Sequence, residues 1–489
     1  MKSVRQPLAP TFAKLWVFFL FLTACAHSPS AIQNQFKKAV ELRAQGHEAE
    51  AAAIFNQLCQ DQAGAACLQM GQDHSAGTTF PLAILQGATS ETTTQVAILR
   101  KKNQPLEYVL YWMAEGQPQP IMAESQKKWE REDSDWVVDH VYYQELKPST
   151  PYWLDVVGDR GQVIDRRQLK TLDLSSPAVT LAVASCMDDH FEKEQAEIWP
   201  EVLKNKPQII FMIGDNSYAD MGIGLRPHAR PKDLWRRNAE TRNRLAVFRT
   251  SSLTPIFAVW DDHDYGANNG DRTYKYKNES AEIFRAFFPQ RALSDSLIKG
   301  PGVSQYFKGF QQGFLFADNR TFRSPNNQND DDETHWGIDQ ENWILENLNA
   351  GSMPTWIING DQIWGGYHKF ESYEYNHPMN FKNTMDRLGK TQSPVIFLSG
   401  DRHLTEVMAI KPPEFAYPTF EITTSGIHAK TYPSGWDKTP NLRQITGRAE
   451  SLNYMIIQSL VKPTLLQIDV TAFGPGQNRL YSRRLVVKK

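Results

Sequence analysis

Four apolar runs, each of a length typical of a buried β-strand, end in clusters of side chains that bind metal ions. The runs are 179–184, 209–213, 256–260 and 395–398. The clusters that follow them, in chain order, are Ser185-Cys186, Asp215-Asn216-Ser217-Tyr218, Asp261-Asp262-His263-Asp264 and Asp401-Arg402-His403. Open α/β sheets bind ligands at the carboxyl ends of their strands. Because crowded carboxylates repel one another unless cations neutralise them, the pattern predicts an ion site there.

The region 177–489 alternates between strand-like and helix-like stretches. Helices are predicted at 192–205, 232–249, 278–288 and 339–349. A further strand at 356–359 runs into Gly360-Asp361. This alternation is typical of an α/β domain, which we expect to carry the ion site.

Residues 77–176 have a different character. Apolar and polar residues alternate over short stretches, separated by turn residues, at 94–99, 108–112, 137–142 and 152–157. Short strands at regular spacing predict a β-sandwich. The charged segment 126–135 is expected to form an exposed hairpin.

The segment 25–76 is predicted to form a helical hairpin. Phe36, Ala39 and Val40 share a helical face before Gly46, and the face continues in the alanines after it. The pattern resembles a tetratricopeptide or Sel1-like unit. Because one such unit buries its apolar face poorly, we expect it either to pack on a neighbour or to serve as a spacer.

The N-terminal segment 1–24 has the features of a secretory signal. Basic Arg5 and Lys14 precede the apolar run Leu15–Leu22, and small residues follow it. Leu22-Thr23-Ala24-Cys25 resembles a bacterial lipobox, which predicts a lipid anchor on Cys25 and a place in the cell envelope, outside the cytoplasm. A net charge of −2 gives no signal for nucleic-acid binding.

The residue types at the strand ends favour particular ions. Aspartate is a hard oxygen donor, whereas tyrosinate and thiolate suit a strongly Lewis-acidic ion such as Fe³⁺. Asp215 and Tyr218 are three residues apart just past a strand, so one turn could direct both at a common point. Cys186 could instead be an ordinary buried cysteine. Asp188-x-His190 offers an alternative first metal motif.

The ordered motifs resemble those of the PhoD-type alkaline phosphatase family, within the calcineurin-like metallophosphoesterases. The resemblance covers about residues 80–489 and rests on the strand-end clusters, on Asn268-Asn269, and on Phe316–Arg323. It implies an α/β fold: a four-layer αββα sandwich, preceded by a fibronectin type III-like β-sandwich and the short helical segment.

The resemblance also implies a set of metal ligands. Cys186, Asp215 and Tyr218 would bind Fe³⁺, with His403 as a fourth ligand. Asp215 would bridge to a second divalent ion, Ca²⁺, that also uses Asp401 and one asparagine. That asparagine is Asn268 in our assignment, although Asn269 fits the motif equally well.

For the proton-handling group, the resemblance implies His263. Its neighbours Asp262 and Asp264 are expected to raise its pKa and favour the acid form, so we assign all three as catalytic. Of the other charged strand-end residues, Arg320 is expected in a packed ion pair. Asp361 is expected either behind the ligands or as a strand-end cap.

These predictions combine into an extracytoplasmic, metal-dependent phosphoesterase acting on phosphomonoesters, phosphodiesters or both. One alternative is a phosphodiesterase or phospholipase D-like enzyme acting on envelope lipid or polymer. Another is a non-catalytic binding protein at the cell surface.

Overall fold

The computed structural model describes residues 80–488 except 115–116, 294–295, 327–332 and 432–438, together with part of the segment 35–60. Within the predicted helical hairpin it describes helix α1, Glu48–Gln60. The signal segment 1–24 and Cys25 lie outside the described residues. In the described part of the chain, no helix combines the length and apolar character needed to cross a bilayer.

Residues 83–170 form two four-stranded antiparallel sheets. Their strands are β1 (Ala83–Thr89), β2 (Thr94–Lys101), β3 (Glu107–Ala114), β4 (Gln117–Ile121), β5 (Ser125–Glu130), β6 (Trp136–Tyr143), β7 (Pro151–Val157) and β8 (Val163–Lys170). The strand orders are β1-β2-β6-β5 and β4-β3-β7-β8. The predicted hairpin at 126–135 corresponds to β5 and the turn that leads into β6, and most side chains of β5 are exposed.

Two larger sheets form the region 178–488. The strands are β9 (Ala178–Ala184), β10 (Ile209–Ile213), β11 (Ile256–Val259), β12 (Leu297–Lys299), β13 (Gln305–Gly309), β14 (Gln312–Phe316), β15 (Thr355–Asn359), β16 (Val395–Ser399), β17 (Thr405–Ile410), β18 (Thr419–Thr424), β19 (Gln444–Ala449), β20 (Tyr454–Lys462), β21 (Leu465–Gly474) and β22 (Asn478–Lys488). The orders are β11-β10-β9-β20-β21-β22 and β12-β13-β14-β15-β16-β18-β17-β19. Strands β9–β11 are parallel, as are β14–β16, so their carboxyl ends lie on one edge of each sheet.

The helices of this region are α2 (Glu192–Lys204), α3 (Pro231–Arg244), α4 (Asp262–Tyr265), α5 (Lys277–Phe287), α6 (Ile338–Asn349), α7 (Tyr373–Asn376) and α8 (Pro378–Leu388). The helix predicted at 232–249 ends five residues early. Leu245 takes an extended ψ of 129°, and a short 3₁₀ turn follows at Ala246–Phe248.

Side-chain alternation along the strands produces four layers. Phe211 of the six-stranded sheet meets Phe314 and Phe316 of the eight-stranded sheet, with ring centroids 5.2 and 5.0 Å apart. The opposite face of the eight-stranded sheet, including Leu315 and Ile357, packs with residues of α6 and α8. Helices α2, α3 and α5 pack with the six-stranded sheet. The predicted αββα fold class is therefore confirmed.

The β-sandwich packs directly on this α/β region. Alternate residues of β1 and β2, such as Ile84 and Ile98, face the interior of the sandwich. Their neighbours Leu85 and Leu99 join the core of the α/β region. Both strands are therefore buried on both faces, whereas the alternation at 94–99 predicted a polar outer face.

Candidate active site

The candidate ligands lie on sharp turns at the carboxyl ends of parallel strands. Cys186, Asp215, Asp401 and His403 all adopt left-handed backbone conformations, with φ of 59°, 52°, 62° and 50°. Few residues other than glycine adopt this region, and backbone strain of this kind concentrates at functional sites. The turns direct these four side chains towards one another.

Glycines let the strand ends approach closely. Gly214 precedes Asp215 with φ of 97°, and a Cβ atom there would lie 2.7 Å from Cβ of Asp261. A Cβ on Gly360 would also lie 2.7 Å from the Asp261 carboxyl carbon. The ends of β10, β11 and β15 therefore meet only because two positions carry no side chain.

A cavity of about 530 Å³ opens at this edge of the sheets. Six of the nine residues assigned from the sequence line it: Asp215, Asp262, His263, Asn268, Asp401 and His403. Of the other three, Cys186 and Tyr218 lie directly behind these lining residues, and Asp264 is directed elsewhere.

The four residues assigned to Fe³⁺ are neighbours in the folded chain. The Cys186 sulfur lies 3.3 Å from Oδ2 of Asp215, and the Tyr218 hydroxyl lies 3.4 Å from Nε2 of His403. The other ring nitrogen of His403, Nδ1, is held by the Lys430 carbonyl, which leaves Nε2 as the atom facing Tyr218.

Burial opposes ionisation of the thiol and the phenol. It raises the pKa of Cys186 to about 12, and it raises the pKa of Tyr218 well above its usual value. Both groups would therefore stay neutral at neutral pH without a compensating charge. A bound cation favours the thiolate and phenolate forms, so this pair of donors fits a strongly charged ion.

A second group of oxygen donors lies beside the first. Carboxylate oxygens of Asp261, Asp262 and Asp401 lie within 4.8 Å of one another. Oδ2 of Asp261 is buried and has no hydrogen-bond partner among the described residues. Burial, followed by the charge of Asp262, raises the pKa of Asp401 to about 6. Carboxylates this crowded fit a hard divalent cation, and Asp261, which was not assigned from the sequence, belongs to the group.

Asp264 does not flank the His263 imidazole as expected. Its carboxylate accepts hydrogen bonds from the backbone N–H groups of Asp261, Asn216 and Ser217, at 3.1, 3.1 and 3.0 Å. It holds the ends of β10 and β11 together from behind. The geometry therefore gives Asp264 a structural position, and its assignment as a catalytic residue stays a prediction.

His263 is paired with an aspartate that the sequence analysis missed. Its Nδ1 lies 2.7 Å from Oδ1 of Asp220, and its ring stacks on Tyr218 at a centroid distance of 4.2 Å. Burial lowers the pKa of His263, but the carboxylates of Asp262, Asp215 and Asp220 outweigh it and raise the pKa well above its usual value. The sequence signal for Asp220 was its position, because it follows the candidate ligand Tyr218 by two residues in the same loop.

The two alternatives left open by the motifs concern the asparagine ligand and the first metal motif. Asn268 and Asn269 both line the cavity, so the choice between them stays a prediction. Asp188, Asp189 and His190 form a separate group that could hold a metal ion, so this alternative also stays a prediction. His190 Nδ1 lies 2.7 Å from Asp188 Oδ1, and neither residue is among those that line the cavity. Asp189 between them pairs with arginines of α3.

A buried network supports the acidic cluster from behind. Arg320 donates to Oδ1 of Asp261 at 2.6 Å and to Oε2 of Glu371 at 3.0 Å, which confirms the expected packed ion pair. Asn319 donates to Asp261 and to Asp361, at 2.7 and 3.0 Å. Asp361 thus lies behind the ligands, the first of its two expected positions.

The sequence profile of the family described as PhoD-like phosphatase matches residues 181–460, more than half of the chain. The chain belongs to this family. A solved structure described as "Structure of PhoD" aligns over 85% of this chain and 91% of its own length, with a TM-score of 0.62 and 16% identity. At that identity the likeness concerns the fold. No curated protein matches the sequence.

Membership of the PhoD-like phosphatase family makes the chain a phosphoric ester hydrolase with a phosphate ester as its substrate. The predictions of family and enzyme class are confirmed, and the alternative of a non-catalytic binding protein is set aside. The acidic and histidine clusters at the strand ends are groups that could hold metal ions.

Proposed function

We propose that this PhoD-like phosphatase is a metal-dependent phosphoesterase that uses Fe³⁺ and a second divalent ion, Ca²⁺. The observation that carries the proposal is the position of Asp215. One oxygen faces the Cys186 sulfur at 3.3 Å, and the other lies 3.3 Å from the backbone nitrogen of His263, beside Asp262. A carboxylate between a thiolate–phenolate group and a group of carboxylates is suited to bridge two cations.

The candidate ligands would form two adjacent ion sites. Cys186, Asp215, Tyr218 and His403 would hold Fe³⁺. Asp215, Asp401 and one of Asn268 and Asn269 would hold Ca²⁺, with the carboxylates of Asp261 and Asp262 beside it. When bound, such ions supply Lewis acidity for the phosphoryl group and for an oxygen nucleophile.

Side chains at the cavity would donate the proton and attract the substrate. His263, with Nδ1 held by Asp220, presents Nε2 as the proton donor for the departing ester oxygen. Arg402 and Lys369 line the same cavity and carry the positive charge that attracts a phosphate ester.

The proposal is tested by metal analysis and visible absorption of the purified protein. A ferric ion bound to phenolate and thiolate should give a charge-transfer band, and Tyr218→Phe should weaken or shift it. Tyr454→Phe is the matched control, since Tyr454 is a buried tyrosine of β20 outside this cavity. A fully metal-loaded protein with no such band would contradict the ligand set.

Asp220→Asn should slow hydrolysis of alkyl phosphates about 10- to 100-fold, because an unpaired His263 is a poorly oriented acid. Activated aryl phosphates should be affected much less, since their leaving groups need little protonation. The ratio of kcat values for the two substrates therefore reports on proton donation. Equal losses of kcat on alkyl and aryl phosphates would contradict the role of His263 as proton donor.

For the substrate class, we propose phosphomonoesters, phosphodiesters or both, with a phospholipase D-like activity on envelope lipid or polymer as the alternative. Comparing turnover of an aryl monophosphate, a bis-aryl phosphate and a phospholipid separates these activities. We also propose an extracytoplasmic location with a lipid anchor on Cys25. Loss of the protein from the membrane fraction in Cys25→Ala would support that anchor, and unchanged fractionation would refute it.

A further inference from the structure

A second cavity, which we name the basic cavity, lies where the β-sandwich meets the α/β region. Its volume is about 470 Å³, within the range of small-molecule sites. One wall comes from β5 and β6, and the other comes from the end of α5 and from the segment 299–303. It shares no lining residue with the active-site cavity.

Four cationic side chains line the basic cavity, and no described lining residue is acidic. They are Lys127, Arg285, Arg291 and Lys299. Across the described ranges, none of the four forms an ion pair. Lys127, Arg285 and Arg291 are exposed. Arg285, Arg291 and Lys299 donate hydrogen bonds to the neutral oxygens of Gly302, Ser125 and Gln305, respectively, at 2.6, 3.1 and 3.2 Å. Among the described residues, no carboxylate neutralises the four cations of the basic cavity.

Aromatic side chains form the apolar part of the lining. The Lys127 ammonium lies 3.3 Å from the ring centroid of Trp129, and the Arg291 guanidinium lies 4.0 Å from that of Tyr142. Phe288 also lines the cavity. Aromatic faces held beside cations suit a ligand that is both anionic and apolar or planar.

The local electrostatics agree with this geometry. Burial, followed by the charge of Arg285, lowers the pKa of Lys299 to about 7. His140 lines the same cavity, and burial together with Lys127 and Arg242 lowers its pKa to about 4. Burial is the main cause of both shifts and disfavours the charged forms, so a bound anion would favour the ammonium form of Lys299.

We propose that the basic cavity binds a small organic phosphate, with the phosphate among the four cations and its apolar or aromatic body against Trp129, Tyr142 and Phe288. The site is separate from the catalytic one and independent of the metal ions. It bridges the β-sandwich and the α/β region, so its ligand would tie the two together and raise the midpoint of thermal unfolding.

The test uses the full-length protein carrying Asp215→Ala. This change removes the proposed bridging ligand, so phosphate binding at the catalytic site should be weakened. Phenylphosphonate, which resists hydrolysis, is titrated by calorimetry, with inorganic phosphate and benzyl alcohol in parallel. We expect phenylphosphonate to bind at one site, more tightly than either partial probe. Adding Arg291→Gln and Lys299→Gln should weaken it at least about tenfold, because each change removes a charged contact.

Three controls make the test decisive. In a chain with native Asp215, Arg291→Gln/Lys299→Gln should keep the native kcat on an aryl phosphate, which shows that it folds. Lys127→Gln, a change at an exposed side chain, should weaken binding separately, whereas Arg484→Gln should not. Binding that survives the double substitution, or no binding at all, would overturn the site. Inorganic phosphate binding as tightly as phenylphosphonate would overturn the organic ligand.

Discussion

Asp215→Ala is expected to lower kcat/KM for phosphate esters about 10³-fold, which corresponds to about 4 kcal/mol of transition-state stabilisation. Asp215 is the carboxylate that faces both the Cys186 sulfur and the turn carrying Asp262 and His263. Its removal should separate the two ion sites. Steady-state kinetics and the metal content of the same preparation measure the effect, and both activity and bound iron should fall.

Asp188→Ala is the matched control, because Asp188 is also a buried aspartate that follows β9 in the alternative Asp-x-His motif. Its carboxylate binds His190 and is not part of the active-site lining. Activity and metal content should stay near those of the unaltered protein. If Asp188→Ala lost iron and activity while Asp215→Ala kept them, the assignment of the ferric site would be wrong.

Arg320→Met is expected to lower the free energy of unfolding by about 3–5 kcal/mol. The Arg320 side chain is fully buried and donates to both Asp261 and Glu371. Methionine would keep much of the volume but leave the buried carboxylate of Asp261 without its cation, and Glu371 with Arg323 alone. Urea unfolding followed by circular dichroism measures the change, at a fixed concentration of metal ions.

Arg484→Met removes an ion pair that is exposed. Arg484 pairs with Asp469 at 2.6 Å, but its side chain is 65% exposed. Exposed pairs of this kind contribute about 0–1 kcal/mol, so the control should unfold almost as the native protein does. A loss below about 1 kcal/mol in Arg320→Met would show that the acidic cluster does not depend on this guanidinium.

Local patterns were sufficient for most elements of the α/β region. The apolar run 209–213 coincides with β10, and the helix predicted at 192–205 ends one residue earlier, at Lys204. Such elements are set by the spacing of apolar residues and by near neighbours in the chain. Burial of β1 and β2 on both faces could not be foreseen, because it depends on contact with strands and helices hundreds of residues away.

The run Asp261–Asp264 shows most clearly which properties follow from the order of residues and which follow from the folded structure. That these acids follow a buried strand, and that they signal an ion site, could be recognised from the order of residues alone. Their individual roles could not, because they begin a one-turn helix in which successive side chains point about 100° apart. Asp261 faces Arg320, Asp262 faces the cavity, and Asp264 faces backbone N–H groups.

The same distinction holds for the whole active site. Residue types and motif order were enough to identify the family and the class of reaction, and they indicated most of the residues that line the candidate site. Only the folded structure shows the pairing of His263 with Asp220, the oxygen of Asp261 that has no partner among the described residues, and the separate basic cavity. Each of these arises from side chains far apart in the chain whose distance only the packing of sheets, loops and β-sandwich sets.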